Sequence, residues 1–478
     1  MADETTQNIQ TKESDAIVNQ KRFFITTFGC QMNVHDSERI AGQLLEEGYV
    51  EAASEKEADV IVLNTCCIRE NADKKLYGTV GTFAQYKETN PNLQIAVGGC
   101  LAQKDRDLIL KKLKSVDVVF GTHNIDRVVD LLQENEITQE AIIEIIEEHE
   151  AYPSALPARR DSNFSAWVTI QIGCDNKCAF CIVPSVRGKE VSRRMGDIVH
   201  EIEDLVADGV TEVTLLGQNV NSYGRDLGAG QYSPKFSDLL RAVNDIDGLK
   251  RIRFTSPHPK DMKEDTFIAM NECEKVCNHL HFPLQSGSDT ILAAMHRGYN
   301  SKRYLEKLEL ARSIIPDLAV TTDIIVGFPG ETDQDFEDTM EVTRKARYDS
   351  AFTYVFSPRE GTEASLMTDK FVDPAIVKER IQILCALEKQ DAIDTHNDQI
   401  GKTEELLVIG ESKMEGMTSG RSGQNKLIHF DPQEHKINPG AYVTVKVTSA
   451  ASHWLFGELI EVLSNPKVKK KLIPLAAM

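Results

Sequence analysis

Three cysteines stand within eight residues of one another in "CDNKCAFC", from Cys174 to Cys181. A structural zinc site closes its tetrahedron with a fourth protein ligand, whereas three thiolates on an iron–sulfur cube leave one iron open to an outside ligand. The spacing of Cys174, Cys178 and Cys181 therefore points to a metal centre with an open position. A zinc ion completed by a distant residue is the other reading. A second set is spread along the first hundred residues: Cys30, Cys66 and Cys100 each end an apolar run, in "FITTFGC", "VIVLNTCC" and "IAVGGC". The carboxyl ends of strands in a parallel sheet lie along one edge, so three thiols at such ends can converge on one centre. Cys67 adjoins Cys66 and competes with it; Cys66 is the expected ligand. Cys273, Cys277 and Cys385 are expected to be reduced, partly buried thiols.

The elements that must position these thiols are legible as rhythm. Residues 21–136 alternate strand-like and amphipathic runs in the order βαβαβ, with a further short run in "VDVVFGTHN", which predicts a parallel α/β domain. Residues 137–159 are acidic and then punctuated by proline ("EEHEAYPSALPARR"), the pattern of a linker. From 160 to 391 six strands are expected to end at "WVTIQIGC", "VTEVTLLGQN", "RIRFTSPHP", "HLHFPLQSG", "LAVTTDIIVGFPG" and "AFTYVFSPREGT". Six βα units make an open partial barrel, (βα)6, with its polar residues at the carboxyl ends where such architectures build their sites. Residues 394–462 change to short β-rich runs, predicting a small OB-like β-barrel. Residues 1–20 and 463–478 read as a disordered start and a tail.

Composition limits the functions available. The 478 residues carry 54 Lys and Arg against 74 Asp and Glu, a formal charge of −20, which argues against indiscriminate nucleic-acid binding. A nucleic-acid partner needs a local basic surface, and from Gly401 to Met478 ten Lys or Arg face only eight Asp or Glu. No signal peptide and no run of eighteen apolar residues is present, so a cytoplasmic protein without membrane attachment is expected. In that compartment ten cysteines point to metal or redox chemistry and not to a disulfide framework.

With these modules in this order, the chain resembles the methylthiotransferases, a branch of the radical S-adenosylmethionine (SAM) superfamily whose cysteine signature "CDNKCAFC" matches. "NTCCIRENADKK", "LLGQNVNSYG" and "PLQSGSD" are similar to stretches of its bacterial tRNA branch, the departure being Cys67 where Ser is usual. The C-terminal barrel then corresponds to a TRAM domain. The resemblance implies two 4Fe-4S clusters: one on Cys174, Cys178 and Cys181 that binds and cleaves SAM, and an auxiliary one on Cys30, Cys66 and Cys100 that carries sulfur. It implies methylthiolation of carbon 2 of an isopentenylated adenosine at tRNA position 37, with two SAM molecules per turnover. It also calls for an electron donor and a source of sulfur or of clusters, and the protein is expected to be a monomer.

Phe180, Gln218, Asn219, Gln285, Ser286, Asp323 and Gly327 are the expected SAM contacts, although loop capping and turn formation are ordinary uses of such residues. Lys402, Lys413, Arg421 and Lys426 are the expected phosphate contacts; Trp454 and Phe456 are assigned to the barrel core, with base stacking the alternative. Thiomethylation of a ribosomal protein, and a non-catalytic iron–sulfur protein that binds RNA or senses redox state, are the competing activities.

Overall fold

Strands that are apolar at successive positions must be covered on both faces, and that requirement shapes the N-terminal sheet. The computed structural model describes residues 20–67, 70–147, 156–228 and 233–467. Residues 1–19, 68–69, 148–155, 229–232 and 468–478 lie outside the described residues, and with them nearly all of the expected disordered start, part of the expected linker and most of the tail. The described residues form two compact units. One comprises residues of Met1–Asp161, Gln171–Lys177 and Cys181–Arg193; the other comprises Ser162–Ile170, Cys178–Phe180 and Arg194–Met478.

In the first unit, β1 (Arg22–Thr27), β2 (Val50–Glu51), β3 (Val60–Thr65), β4 (Gln94–Gly99), β5 (Val118–Phe120) and β6 (Ile142–Glu144) form a sheet of order β2-β1-β3-β4-β5-β6. Every pairing in it is parallel. β3 and β4 are buried along their whole length. Ile61, Leu63, Ile95 and Val97 pack with Leu76, Val80 and Phe83 on one face, and Val60, Val62 and Ala96 pack with Ile40, Leu44 and Leu132 on the other. β6 falls inside the stretch read from sequence as a linker. Three residues are too few to show an alternating pattern, and their strand character comes from pairing with β5.

Of the second unit, β7 (Ser165–Thr169) continues in sequence to β8 (Gln171–Ile172), which with β9 (Val191–Ser192) forms an antiparallel pair of the first unit. "WVTIQI" is therefore two strands. β10 (Glu212–Leu216) and β11 (Arg251–Phe254) join β7 in the order β11-β10-β7, and β12 (His279–His281), β13 (Ala319–Val326) and β14 (Ser350–Val355) form a second parallel triplet. An isolated parallel bridge links Ile252 of β11 to Val276, just before β12. One core runs beneath β7 and β10 to β13, from Val168, Val213 and Leu215 to Leu280, Val320 and Ile324, and is covered by helix residues including Ile202, Leu240, Phe267 and Leu308.

The remaining strands, β15 (Thr403–Glu411), β16 (Thr418–Arg421), β17 (Leu427–Asp431), β18 (Tyr442–Ala450) and β19 (Leu455–Ser464), close into a barrel around Leu406, Phe430, Val445 and Leu455. Within its unit this barrel sits at the amino ends of β10 and β11. Arg251 donates to the carbonyls of Arg421 (2.7 Å) and Glu405 (2.8 Å), and Arg253 to those of Ser422 (2.8 Å) and Gly423 (3.1 Å). The Tyr442 hydroxyl donates to Thr211 at 3.2 Å, and Lys426 pairs with Asp349 just before β14. The carboxyl ends of the six strands are left to the opposite side.

Arg251 is buried, so removing it strands two carbonyls away from water. Arg251→Met should cost about 1–3 kcal/mol, seen as a lowered thermal unfolding midpoint of the full chain. Lys250→Met, which removes only an exposed cation lying 4.2 Å over the Tyr442 ring, should cost less than about 1 kcal/mol.

Candidate functional site

Register places the first cysteine set. Thr27 lies opposite Asn64 and Thr65 opposite Gly99, so Cys30, Cys66 and Cys100 leave three adjacent strands at one edge. Cys30 precedes the helix Gln31–Glu46, and Cys100 opens the helix Cys100–Asp105. Asn33, on the first turn of the Cys30 helix, donates to the carbonyls of Thr65 (2.8 Å) and Phe28 (3.3 Å), tying the exits of β1 and β3 together. Gly29, at φ +125°, comes so close that a Cβ there would meet the Cys66 Cβ at 2.5 Å and its Sγ at 3.0 Å.

The two neighbouring cysteines divide between the flanks of this edge. Cys66 lies against the β1 exit, while the Cys67 thiol hydrogen-bonds that of Cys100, both thiols being free, and sits in the apolar cluster with Leu76 and Leu101. That bond, followed by burial, pushes the Cys67 thiol up; Cys100 is held down by the same bond, with the Arg187 charge assisting against burial. Arg187 is a residue that sequence reasoning missed. It is buried, donates to Asp36 Oδ2 at 2.7 Å and Asn33 Oδ1 at 3.3 Å, and faces Cys30 and Cys100 electrostatically. Three thiols, a buried cation and no competing hard ligand set fit an iron–sulfur cluster, since cations favour the thiolate form that binds metal. Among the described residues, no three His, Cys, Asp or Glu side chains close on a point as ligands of a single ion would. Thiols on a cube each bind a different iron and stand farther apart.

Cys174, Cys178 and Cys181 occupy the turn after β8, all half-buried. Cys174 and Cys181 group with the first unit, and Cys178 with the second. In the second unit Arg297, also missed from sequence and also buried, donates to Cys178 Sγ at 3.3 Å and to the Tyr299 hydroxyl at 3.1 Å. Phe180 packs beside Ala179, Met295, Phe328 and Ile325.

The polar strand ends separate into committed and available groups. The Gln218 Oε1 atom, beyond β10, is buried without a hydrogen-bond partner among the described residues. Asn219 uses its amide to hold Asp261 Oδ2 at 2.9 Å. Ser286 is engaged with Thr339 (3.3 Å) and accepts from the Ser288 amide. Gln285 is held at φ +69° by backbone bonds to Asp323 and Ile325. Gly327 gives its amide to Glu331 and lacks room for a Cβ against Val377. Asp323 faces the barrel interior, 3.3 Å from His281 Nε2.

Of the basic residues on the small barrel, Lys413 is exposed and Lys402 lies 3.5 Å from Asp317 at the surface. Arg421 donates to the Asn425 carbonyl at 2.8 Å, and burial lowers its pKa. Lys426 departs from the expected phosphate contact: its side chain is 4% exposed and its charge is paired with Asp349. Trp454 and Phe456 depart from the expected core position, being half-buried around His429 with ring centroids 6.1 and 6.0 Å away.

Family models match three successive stretches: Uncharacterized protein family UPF0004 at residues 22–121, the Radical SAM superfamily at 168–343 and the TRAM domain at 398–460. Fold and site thus define a radical SAM enzyme flanked by an N-terminal cysteine-bearing domain and a small β-barrel. Curated tRNA-2-methylthio-N(6)-dimethylallyladenosine synthases from Streptomyces coelicolor and Acidothermus cellulolyticus are each 52% identical over 444 residues, covering 92% of this chain and 87% and 88% of theirs. The chain belongs to this family of methylthiotransferases. Among solved structures, the radical SAM methyltransferase TsrM from Kitasatospora setae is similar in fold, with a TM-score of 0.52 at 10% identity over 72% of this chain and 77% of that one.

Gly29→Ala should force Cys66 aside and, after reconstitution, lower iron content. Gly48→Ala, also at positive φ (+82°) but with nothing within 4 Å of the added Cβ, should cost about 1 kcal/mol and leave iron unchanged. Iron analysis and thermal unfolding of the two variants test this.

Proposed function

We propose that this chain converts N(6)-isopentenyladenosine at tRNA position 37 to its 2-methylthio derivative, with two 4Fe-4S clusters and two SAM molecules per turnover. The observation that carries the proposal is the edge formed by β1, β3 and β4, where Cys30, Cys66 and Cys100 emerge together. Cys174, Cys178 and Cys181 hold the cluster that serves SAM, and the strand-edge triplet holds the auxiliary one. When bound, these groups supply the radical and sulfur chemistry needed to substitute an unactivated aromatic C–H, which no side chain can perform.

The chain's own residues bind and orient. Phe180 offers an apolar surface to the SAM adenine, and Gln218 a buried acceptor to its polar groups. Gln285 and Asp323 line the same mouth, while Asn219, Ser286 and Gly327 hold its loops in place. Lys402 and Lys413 meet tRNA phosphates, with Arg421 at the edge of that surface. Trp454 and Phe456 provide aromatic faces for unpaired bases. The target adenosine reaches the partial barrel splayed out of its loop. The enzyme works as a cytoplasmic monomer, supplied by an external electron donor and a source of sulfur or of clusters. No described helix is long and apolar enough to cross a membrane.

The test is anaerobic incubation of reconstituted protein with reductant, SAM and tRNA bearing or lacking the isopentenyl group, followed by mass spectrometry of the nucleosides. A methylthio gain confined to isopentenylated adenosine is expected; 5'-deoxyadenosine release without gain on either tRNA would move the reading to another substrate. Cys178→Ala should abolish 5'-deoxyadenosine, whereas Cys100→Ala should keep SAM cleavage and end sulfur transfer. Cys66→Ala should lose about half of the iron and Cys67→Ala little, if two clusters of equal size are held as the cysteine count implies.

A further inference from the structure

The auxiliary triplet is accompanied by a buried ion pair that no ligand role explains. Arg187 comes from the segment just beyond Cys181, yet its guanidinium is buried and engaged with Asp36 at 2.7 Å and Asn33 at 3.3 Å. Asn33 in turn accepts from the Cys30 thiol at 3.5 Å and clamps the backbone at Thr65, one residue before Cys66. The same guanidinium interacts with Cys30 and Cys100 as well as Asp36. Burying this pair is costly, and a purely structural role would be filled as well by apolar packing. Val186, next in sequence, does just that, entering the apolar cluster with Cys100.

What distinguishes a buried pair from apolar packing is its field. An oxidised cube with three thiolates carries net negative charge and gains one more electron on reduction, so nearby fixed charges set how readily it is reduced. We propose that Arg187 and Asp36 act as opposed electrostatic levers on the auxiliary cluster, the arginine favouring its reduced form and the aspartate restraining that bias, with Asn33 helping to fix the guanidinium against the Cys30 helix. Arg187 is thus a positioning and charge-setting residue; it touches neither substrate nor SAM.

This rests on the two-cluster reading, and the experiment separates the two failures. In full-length chain carrying Cys174→Ala, Cys178→Ala and Cys181→Ala, only the auxiliary cluster can load. Absence of iron there would reject the two-cluster reading itself. With iron present, the midpoint potential is read by anaerobic titration with electron paramagnetic resonance detection. Arg187→Gln should shift the reduced-to-oxidised ratio at fixed poise at least tenfold toward the oxidised form, about 59 mV for one electron. Arg187→Lys should stay near the parent, and Asp36→Asn should shift the ratio the other way. Shifts of the same sign in Arg187→Gln and Asp36→Asn, or none in either, would overturn the proposal. If Arg187→Gln fails to retain iron, Asp36→Asn alone decides: a shift toward the reduced form supports the proposal, and no shift or the opposite shift overturns it.

Discussion

The parallel register of β1, β3 and β4 is the constraint on which the N-terminal site depends. Interior strands spend their backbone hydrogen bonds on neighbours, so the chain changes direction only where the ladder ends, and in a parallel sheet three such ends coincide. Thr27, Asn64, Thr65 and Gly99 are the last paired positions, and a cysteine follows within one to three residues of each exit. A slip of one residue in any ladder would reverse the faces of its side chains and move one thiol out of the set. Asn33 and Asn64 secure the register, since the Asn64 amide donates to the Asn33 carbonyl at 2.8 Å while the Asn33 amide donates to Thr65.

Charge is the second common feature. Each cysteine set has one buried arginine beside it, Arg187 at Cys30 and Cys100, and Arg297 at Cys178. Their counter-groups differ: Arg187 is matched by the carboxylate of Asp36, whereas Arg297 is held by the phenol of Tyr299, whose hydroxyl is in turn anchored on the carbonyls of Pro283 and Leu284. A paired cation and one held by a neutral group present different fields to a metal centre. The same fold therefore gives the two sets different surroundings while using the same residue types.

The second unit separates its roles by strand polarity. Arg251, Arg253, Tyr442 and Lys426 spend their polar groups fastening the small barrel to the amino ends of the strands. Gln218, Gln285 and Asp323 stand at or near the carboxyl ends. This explains why a basic count on the small barrel overstates the surface available to a nucleic acid: part of that charge faces inward. What stays outside is Lys413, Lys402 and the aromatic group around His429.

Much was determined by sequence alone. Apolar runs ending in cysteine gave the parallel sheet and its thiol edge, because burial on both faces leaves no alternation to misread. The six βα units and the closed C-terminal barrel were equally legible from strand spacing and turn residues, and the spacing in "CDNKCAFC" pointed to a metal centre with an open position. Tertiary structure decided what depends on distant partners. β6 is a strand only because β5 is there to pair with it, and "WVTIQI" divides because Gln171–Ile172 finds β9. Lys426 looks like any basic surface residue until Asp349 buries its charge, and Trp454 like any core aromatic until the barrel leaves it half outside. Arg187 sits 151 residues from Asp36, and no local pattern marks it, because a buried cation is specified by the charges that surround it in space.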